Sequence, residues 1–387
     1  MERLRVGLFT EIYHPVVNGV VASVEALAHG LQSAGHEVFC FAPQMPGASE
    51  GDDGVVRIPS LPLPARAPYR LTLPLVSRRE ARAVIKSLSI VHVHSPFVTG
   101  WMGATYARRY GMPLVYTYHT QLEAYAHYVP FEQGATRYAA SRLTRTFANL
   151  AAGVIAPTPA MAARLRELGV TARIETIPSG IDVALFGSGR RTDAARARAG
   201  AGPADTLLLS VGRLAREKNI ELLFPALAQA GDPSLRLAIA GDGPIRAELE
   251  RAAAEHGVAG RVRFLGGVPR NELPDLYAAA DAFVMPSLTE TQGLVAAEAL
   301  AAGALVIAAD APQNRDVVGT AGLLVPPTAE AFAHAFTQAG RPRDPAAAEL
   351  AQQSAQRFSI ANQVAATLLL YHALVGHDAL DCEHTFA

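Results

Sequence analysis

The sequence predicts an α/β protein with two doubly wound domains, each a parallel sheet covered by helices. Short apolar runs alternate with helix-forming segments, which is the pattern of strands joined by crossover connections. This alternation starts again after residue 203. The chain has 387 residues, more than the length at which a single core keeps growing. Two domains are therefore expected.

Apolar runs define the strands, and segments with apolar residues at helical spacing define the helices. In the first half, strands are predicted at residues 4–10, 37–43, 89–96, 113–119, 153–158 and 173–182, with helices at 19–34, 99–110, 132–151 and 159–168. In the second half, strands are predicted at 206–212, 235–241, 261–267, 282–287, 305–310 and 321–327, with helices at 219–230, 244–256, 271–280, in the run ending near Gly303 and at 347–375.

These elements predict domains at 1–185 and 186–360, followed at 361–387 by a helix and tail that pack back on the first domain. Residues 187–203 are small, basic and without strand signals, so they are interpreted as a linker or an exposed helical turn. Doubly wound sheets bind ligands at the carboxyl ends of their strands. We expect both sheets to present these ends to one cleft between the domains.

Charge and cysteine content exclude several classes of protein. The formal net charge of -1 argues against binding to nucleic acid, which depends on phosphate neutralisation. The two cysteines are far apart and suggest neither a metal site nor a disulfide framework. Residues 1–15 read as a first strand rather than an export signal, and no apolar run has the roughly 20 residues that cross a bilayer. A cytoplasmic location is expected.

Glu290 and Glu298 flank the start of an apolar helix in the second half. An eight-residue step is about 12 Å of helix, so these carboxylates cannot share a proton. Free N–H groups at the helix start, near Thr291, Gln292 and Gly293, would hold a phosphate between them. The pattern predicts an extended ligand with hydroxyls at both ends and anionic charge in the middle. Alternatively, Glu290 is a helix-start carboxylate and Glu298 a solvated one.

Arg213 and Lys218 follow the strand that opens the second domain, where they could neutralise a departing diphosphate. Lysine occurs only twice in the chain, which favours a function for Lys218 over an exposed basic loop. The turns after the next two strands contain Asp242, Gly243 and Val268. Such turns leave room for a base and a ribose, although strand-to-helix turns are commonly Gly and Asp in any case.

In the first half, Gly19 begins a helix after a strand, where backbone could approach a phosphate or sugar closely. His119 lies at another strand end and is expected to point into the cleft. His92 and His94 alternate on one strand, but no ligand cluster supports a metal site, so they are interpreted as core or strand-end histidines. No Asp-x-Asp occurs in the chain. We therefore expect no essential metal and no other cofactor.

Six motifs together resemble glycosyltransferase family 4, the retaining enzymes of the GT-B fold. They are HPVVNGVV, VHVHSP, YTYHT, VGRLAREKN, AGDGP and TETQGLVAAEALAAG, and they span nearly the whole chain. HTQLEAYAHYV and ETQGL are similar to the membrane-associated diacylglycerol α-glucosyltransferases. Most of the family has a small residue and Phe or Pro after the first glutamate, whereas this chain has Thr291 and Gln292 before Gly293.

The resemblance implies a role for each candidate residue. Arg213 and Lys218 would bind the donor diphosphate, with Gly19 against the phosphates and His119 near the transferred sugar. Glu290 would meet the sugar hydroxyls and Glu298 the ribose. The full set of implied catalytic residues is His119, Arg213, Lys218 and Glu290. The implied substrate-binding residues are Gly19, Asp242, Gly243, Val268, Thr291, Gln292, Gly293, Leu294 and Glu298.

The activity implied is transfer of a hexose, glucose from UDP-glucose, to a lipid such as diacylglycerol, with an α-glycoside as product. The alternatives are an α-mannosyltransferase, an enzyme with another lipid or a soluble acceptor, and a non-catalytic nucleotide-sugar binding protein. The first domain would face the acceptor and the second would bind the donor.

Residues 1–180 hold 17 Lys and Arg against 12 Asp and Glu, a surplus of +5 that fits an anionic membrane surface. Peripheral attachment to the inner face of the plasma membrane is therefore expected. The cations mixed with apolar residues are Arg66, Arg70, Arg78, Arg79, Arg82 and Lys86 in 65–86, and Arg137, Arg142 and Arg145 beside Phe147 in 137–147. An ordinary solvated helix face is the alternative.

Overall fold

A computed structural model describes residues 2–16, 18–47, 54–63, 70–74, 79–128, 132–341 and 344–383. The chain divides into two compact units. The first combines Met1–Gly180 with Ile360–Ala387, and the second is Ile181–Ser359. Each unit is built on one parallel sheet with helices packed on it.

The first unit has a seven-stranded parallel sheet in the order β3-β2-β1-β6-β7-β8-β9. Its strands are β1 Arg5–Phe9, β2 Glu37–Pro43, β3 Val55–Ile58, β6 Ile90–Val93, β7 Leu114–Thr117, β8 Gly153–Ala156 and β9 Ile174–Thr176. A separate antiparallel pair is formed by β4 Ser60–Pro62 and β5 Arg70–Thr72. The helices are α1 Gly19–Ser33, α2 Arg79–Lys86, α3 Val98–Tyr110, α4 Gln133–Ala148, α5 Pro159–Glu167 and α15 Ile360–Glu383, with a 3-10 helix at Leu122–Tyr128.

The second unit has a six-stranded parallel sheet in the order β12-β11-β10-β13-β14-β15. Its strands are β10 Thr206–Val211, β11 Leu235–Ala240, β12 Val262–Gly266, β13 Ala282–Met285, β14 Leu305–Ala309 and β15 Gly322–Val325. Its helices are α6 Val183–Gly187, α7 Asp193–Arg198, α8 Leu223–Gln229, α9 Arg246–Glu255, α10 Leu273–Ala279, α11 Leu294–Ala301, α12 Pro312–Val318, α13 Ala329–Ala339 and α14 Pro345–Ala355. Short 3-10 turns lie at Arg216–Lys218, Ile220–Leu222, Ala259–Arg261, Arg270–Glu272 and Gln356–Phe358.

The central strands of both sheets are covered on both faces. All residues of β6, β7, β8 and β13 are buried. Strands covered on both sides read as continuous apolar runs rather than alternating ones, which is why the sequence identified them. Two hydrophobic clusters, one on each face, fill each unit.

Helix α15 belongs to the first unit, where it packs against α1. Gly30 permits this contact, because a Cβ there would lie 2.4 Å from a Val364 methyl group. Tyr371 of α15 is fully buried, and its hydroxyl lies 2.5 Å from Nδ1 of His92 on β6. Nε2 of His92 lies 2.6 Å from the Thr117 hydroxyl. His92 is thus a hydrogen-bonded core histidine.

The boundary between the units lies between Gly180 and Ile181, rather than between residues 185 and 186. Helix α6 already belongs to the second unit, because Phe186 is fully buried there, with its ring 5.8 Å from that of Tyr277. The second unit therefore spans 181–359 instead of 186–360.

Of the two interpretations of residues 187–203, the linker is wrong, and the helical turn is present as α7, which is partly buried rather than exposed. Arg196 of α7 is only 4% exposed, and it pairs with Asp281 at 3.1 Å. Ala195, Ala199 and Ala201 lie in the core of the second unit. The segment resembles a linker in composition, but the ion pair and the small apolar side chains let it pack.

Two further expectations differ from the structure. The helix expected at 347–375 is two helices, α14 and α15, separated at Gln356–Ser359. Phe147, expected at an interfacial surface, is fully buried because it packs edge-on against Tyr116 and Trp101. Strands β3, β4 and β5 were not predicted. Arg66 and Arg78 lie outside the described residues.

Stability of the first unit should depend on pH through His92. Burial, with a smaller contribution from His119, lowers the pKa of His92 from 6.5 to about 3. The stabilisation is present above pH 6.5, where His92 is neutral in both states, and is lost as pH falls toward 3. Between pH 7 and pH 5 this residue alone should cost about 2 kcal/mol of unfolding free energy.

The measurement is urea unfolding followed by the fluorescence of Trp101, the only tryptophan. The His92→Gln variant should lose this share of the pH dependence. Measurement of both proteins at pH 8 is the control, because His92 of the wild type is then uncharged in the folded and in the unfolded state. If the unfolding free energy changed equally with pH in the two proteins between pH 7 and 5, the pH dependence could not be assigned to His92.

Candidate active site

Two loops at the carboxyl ends of neighbouring strands, after β10 and after β11, pack backbone against backbone in the second unit. The N–H of Gly212, after β10, donates to the carbonyl of Ala240, and the N–H of Leu214 donates to the carbonyl of Asp242. A Cβ on Gly241 would lie 1.9 Å from the Gly212 carbonyl oxygen. A Cβ on Gly243 would lie 2.2 Å from that of Leu214. Glycine is therefore required at both positions.

Lys218 and Glu290 form an ion pair beside these loops. Lys218 ends the 3-10 turn after β10, and Glu290 lies in the loop between β13 and α11. Lys218 Nζ lies 2.7 Å from Glu290 Oε1, and the two side chains are 26% and 12% exposed. An ammonium group has three N–H bonds, and this contact uses one of them. The pair thus offers a cation and a carboxylate at one place.

The carboxyl group of Glu290 remains ionised despite its burial. Burial raises its pKa, but the charge of Lys218 and hydrogen bonds from Lys218 and Ser287 outweigh that effect, so the pKa is lowered. The two residues line a small depression with Ser210, Gly212 and Met285. An ionised carboxylate accepts hydrogen bonds only, which suits it to binding hydroxyl groups.

Side chains from other elements hold the loop that carries Glu290. Asn314 and Gln313 of α12 donate to the carbonyls of Ser287 at 2.9 Å and Leu288 at 2.7 Å. The hydroxyls of Ser287 and Thr289 lie 3.2 Å from the Glu217 carbonyl oxygen, next to Lys218. These contacts fix the two charged residues relative to each other.

Helix α11 begins directly after this loop. Gly293, its N-cap, has φ of 79°, a conformation that favours glycine, and no side chain caps the helix. Thr291 is half-buried, Gln292 is 3% exposed, and Leu294 is the first helical residue. An uncapped helix start has N–H groups and a dipole that favour an anion.

Glu298, further along α11, is buried rather than solvated. It is 3% exposed, accepts a hydrogen bond from the Tyr277 hydroxyl at 3.0 Å and pairs with Arg270 at 3.0 Å. Burial raises its pKa, an effect that Arg270 and Tyr277 only partly offset. This three-residue cluster was not predicted, because its members are brought together only by tertiary packing.

The other candidates of the second unit lie on the strand-end loops. Arg213 is exposed between Gly212 and Leu214. Asp242 is exposed, and its carboxylate accepts a hydrogen bond from the N–H of Gly243 at 2.8 Å. Val268 is half-buried and packs against the core of the unit. These residues therefore follow three neighbouring strands of the sheet.

Gly19 and His119 belong to the first unit. Gly19 begins α1, which is capped by the Asn18 side chain. His119 follows β7, and its Nε2 lies 2.8 Å from Nδ1 of His94, which follows β6. Burial lowers the pKa of His119 to about 4, so the ring is neutral at neutral pH. Among the described residues, Nε2 of the buried His94 has no hydrogen-bond partner.

The structure brings Lys218, Glu290 and Gly293 together, with Arg213 and Gly243 on adjoining loops. Sequence reasoning missed the residues that hold the two glutamates in place: Gln313 and Asn314 hold the loop of Glu290, and Arg270 and Tyr277 hold Glu298. Gly212 and Gly241, directly after β10 and β11, were the one signal in the sequence that the loops at these strand ends pack closely. Across the described ranges, no group of three His, Cys, Asp or Glu side chains could hold a metal ion.

Comparisons with known proteins define the class. Residues 17–185 match the family described as Glycosyltransferase Family 4, and residues 192–357 match Glycosyl transferases group 1. The sucrose-phosphate synthase structure from Thermosynechococcus elongatus superposes with a TM-score of 0.75 and 26% identity, over 97% of this chain and 100% of that chain. Anabaena HepE in complex with UDP-glucose gives 0.73 at 22% identity, over 94% and 99%. The fold is GT-B, and the protein is a glycosyltransferase.

Curated relatives show the family. The alpha-monoglucosyldiacylglycerol synthase of Streptococcus pneumoniae is 32% identical over 81% of this chain and 73% of its own length. A GDP-mannose-dependent alpha-mannosyltransferase of Mycobacterium tuberculosis is 33% identical over 84% of each. The chain belongs to glycosyltransferase family 4. The predictions of this family, of the GT-B fold and of a hexosyltransferase are confirmed.

The close packing of the strand-end loops should make the second unit sensitive to one methyl group. Gly243→Ala would force the added carbon against the Leu214 backbone, and we expect a loss of about 1–3 kcal/mol of unfolding free energy. Gly267→Ala is the matched control in the next loop, because nothing lies within 4 Å of a Cβ there. Urea unfolding followed by circular dichroism measures both. Equal stabilities would show that these loops do not constrain each other.

Proposed function

We propose that the enzyme transfers a hexose, glucose, from a nucleotide diphosphate sugar such as UDP-glucose to a lipid acceptor such as diacylglycerol, and that the product is an α-glycoside. The observation that carries the proposal is the Lys218–Glu290 pair beside the glycine loops of the second unit. A cation and an ionised carboxylate at one place would suit the phosphates and the sugar hydroxyls of one donor, which need opposite partners. The names of the relatives support the lipid acceptor.

Each side chain would bind the part of the donor that its charge suits. Arg213 and Lys218 would bind the diphosphate, together with the uncapped start of α11. Glu290 would accept hydrogen bonds from sugar hydroxyls, and Glu298 from the ribose. In the first unit, Gly19 would lie against the phosphates and the neutral ring of His119 near the transferred sugar. The turns with Asp242 and Val268 would leave room for the base and ribose.

The reaction proposed needs no protein nucleophile. The bond between the sugar C1 and the diphosphate oxygen breaks, and the acceptor hydroxyl oxygen bonds to C1 on the same face. The acceptor proton passes to the departing diphosphate oxygen, so the configuration at C1 is retained. Charge neutralisation by Arg213 and Lys218 and alignment of the reactants would supply most of the acceleration. A divalent ion is not expected to be needed.

Transfer of mannose from GDP-mannose is the second candidate, favoured by the 33% identity to a GDP-mannose-dependent enzyme. Both reactions need the same diphosphate site, and they differ in the base and in the orientation of one sugar hydroxyl. The deciding experiment incubates the protein with separate UDP and GDP sugars, mixed lipids and soluble acceptors. Mass spectrometry identifies the product, and NMR coupling constants give the anomeric configuration.

The lipid acceptor implies contact with a membrane, and we propose peripheral attachment at the inner face of the plasma membrane. Among the helices described, none is both long and apolar enough to cross a membrane. Arg79, Arg82 and Lys86 of α2 are exposed, as are Arg137, Arg142 and Arg145 of α4. Vesicle sedimentation at low salt tests the attachment. Failure to sediment with anionic vesicles would favour a soluble acceptor.

Removing either member of the charged pair should reduce turnover by about 10²-fold or more, the typical cost of losing one stabilising group in a transition state. The variants are Lys218→Met and Glu290→Gln, assayed for kcat with the preferred donor. The double variant should cost less than the product of the two, because the residues act together.

Arg216→Met is the matched control for this prediction. Arg216 lies in the same 3-10 turn, is 63% exposed and pairs with Glu248, so its loss should leave kcat near the wild-type value. Full turnover by Glu290→Gln would contradict the proposed site. Binding of nucleotide sugar without any turnover in the wild type would favour the binding-protein alternative.

A further inference from the structure

Two histidines at the ends of neighbouring strands contact each other in the first unit. Strands β6 and β7 pair in parallel, and Nε2 of His92 lies 2.6 Å from the Thr117 hydroxyl within the sheet. Side chains two positions apart in a strand lie on one face, so His94 and His119 follow these two residues on the same face. Nδ1 of His94 lies 2.8 Å from Nε2 of His119. The register of the sheet therefore places the two rings side by side.

His94 is buried behind His119 and packed against the core. It is 3% exposed, and its backbone N–H donates to the Phe9 carbonyl at 2.8 Å. The centre of its ring lies 4.2 Å from that of His92, whose Nδ1 lies 2.5 Å from the buried Tyr371 hydroxyl. The rings of His94 and His119 are inclined by only 27°. Because the His94 ring cannot turn without moving its buried neighbours, its Nδ1 is a fixed partner for His119.

The contact couples the tautomers of the two rings, because both are neutral at neutral pH. Burial lowers the pKa of His119 to about 4. Burial also lowers the pKa of His94 well below its usual value, with smaller contributions from His92 and His119. A neutral imidazole has one N–H and one bare nitrogen, so an N–H of one ring must face the bare nitrogen of the other. The proton then lies on Nδ1 in both rings or on Nε2 in both.

The hydrogen bonding of His94 favours a role in positioning over a role in stability. Among the described residues, Nε2 of His94 has no hydrogen-bond partner. An unpaired polar atom costs free energy when it is buried, and an apolar side chain here would avoid that cost. The hydrogen bond that the ring does make is directed at His119, which the proposed function places near the transferred sugar.

We propose that His94 is a positioning residue, which holds His119 in one ring orientation and one tautomer for contact with the transferred sugar. His119 is half-buried, so part of its ring is open to a ligand. A fixed tautomer gives each nitrogen of that ring a fixed role as donor or acceptor toward a sugar hydroxyl. The proposal rests on the proposed function for the place of the sugar, whereas the coupling of the two rings does not.

Nitrogen NMR of the protein with isotope-labelled histidine tests this coupling without any substrate. At neutral pH we expect a single tautomer for His94 and a single one for His119, with the proton on the same-named nitrogen in both rings. The His94→Asn and His119→Ala variants assign the signals. Averaged shifts that show exchange between tautomers, or protons on differently named nitrogens, would overturn the proposal.

Three exchanges of His94 separate positioning from stability. His94→Leu should lower kcat about tenfold or more, since a displacement of about 1 Å can cost about 10²-fold. Its urea midpoint should equal or exceed the wild-type value, and its binding of UDP and of GDP, each measured alone, should be unchanged. His94→Asn should restore most of the turnover, because its amide can occupy the place of Nδ1 as donor or acceptor. His94→Gln, whose amide lies one carbon further out, should not.

His36→Leu is the matched control, because His36 is also a buried histidine of the first unit and its Nδ1 accepts the Leu4 N–H at 3.1 Å. This exchange should lower the urea midpoint and leave kcat unchanged. In a His119→Ala background, His94→Leu should cost no further turnover, because His94 acts through His119.

Two kinetic results would overturn the proposal: full turnover by His94→Leu, or an additional loss when His94→Leu is combined with His119→Ala. Failure of His94→Asn to exceed His94→Gln in turnover would also count against it, since only the asparagine amide reaches His119. Coupled tautomers in a wild-type protein that transfers no sugar would uphold the positioning by His94 and contradict the proposed function alone.

Discussion

Close contact between backbones controls the candidate site. Backbone N–H groups and cationic side chains can surround a diphosphate only where no other side chain lies between the loop and the ligand. Gly241 and Gly243 provide this condition, since a Cβ on either would collide with the backbone of the preceding loop. Lys218 and Glu290 then meet at 2.7 Å on a surface whose position is set by the packed loops and by the amides of α12.

The pKa values of Glu290, in the loop before α11, and Glu298, on α11, shift in opposite directions. Both carboxyl groups are buried and each has a cationic partner, yet the pKa of Glu290 is lowered and that of Glu298 is raised. Desolvation dominates at Glu298, whereas Lys218 and the added hydrogen bonds dominate at Glu290. Glu290 is thus an ionised hydrogen-bond acceptor, and Glu298 is held in position by its contacts with Tyr277 and Arg270.

Apolar periodicity was sufficient to predict the second sheet, six of the seven strands of the first sheet and most helices, because the central strands are buried on both faces. It could not predict β4 and β5, which are three residues each and lie on Pro-rich sequence. It also failed to show that α7 packs on the second unit. Arg196 of α7 is buried because Asp281, far along the chain, supplies the opposite charge. The candidate residues were recognisable as motifs. The contacts that orient them, such as His94 with His119, depend on distant strands becoming neighbours.

The return of α15 to the first unit has a consequence for biosynthesis. The second unit is encoded entirely between two segments of the first, so the ribosome completes residues 181–359 while His92 and α1 still lack the helix that covers them. Domains usually mature in the order of synthesis. Here the later unit can finish first, and the earlier one must keep part of its apolar surface uncovered until the last helix emerges.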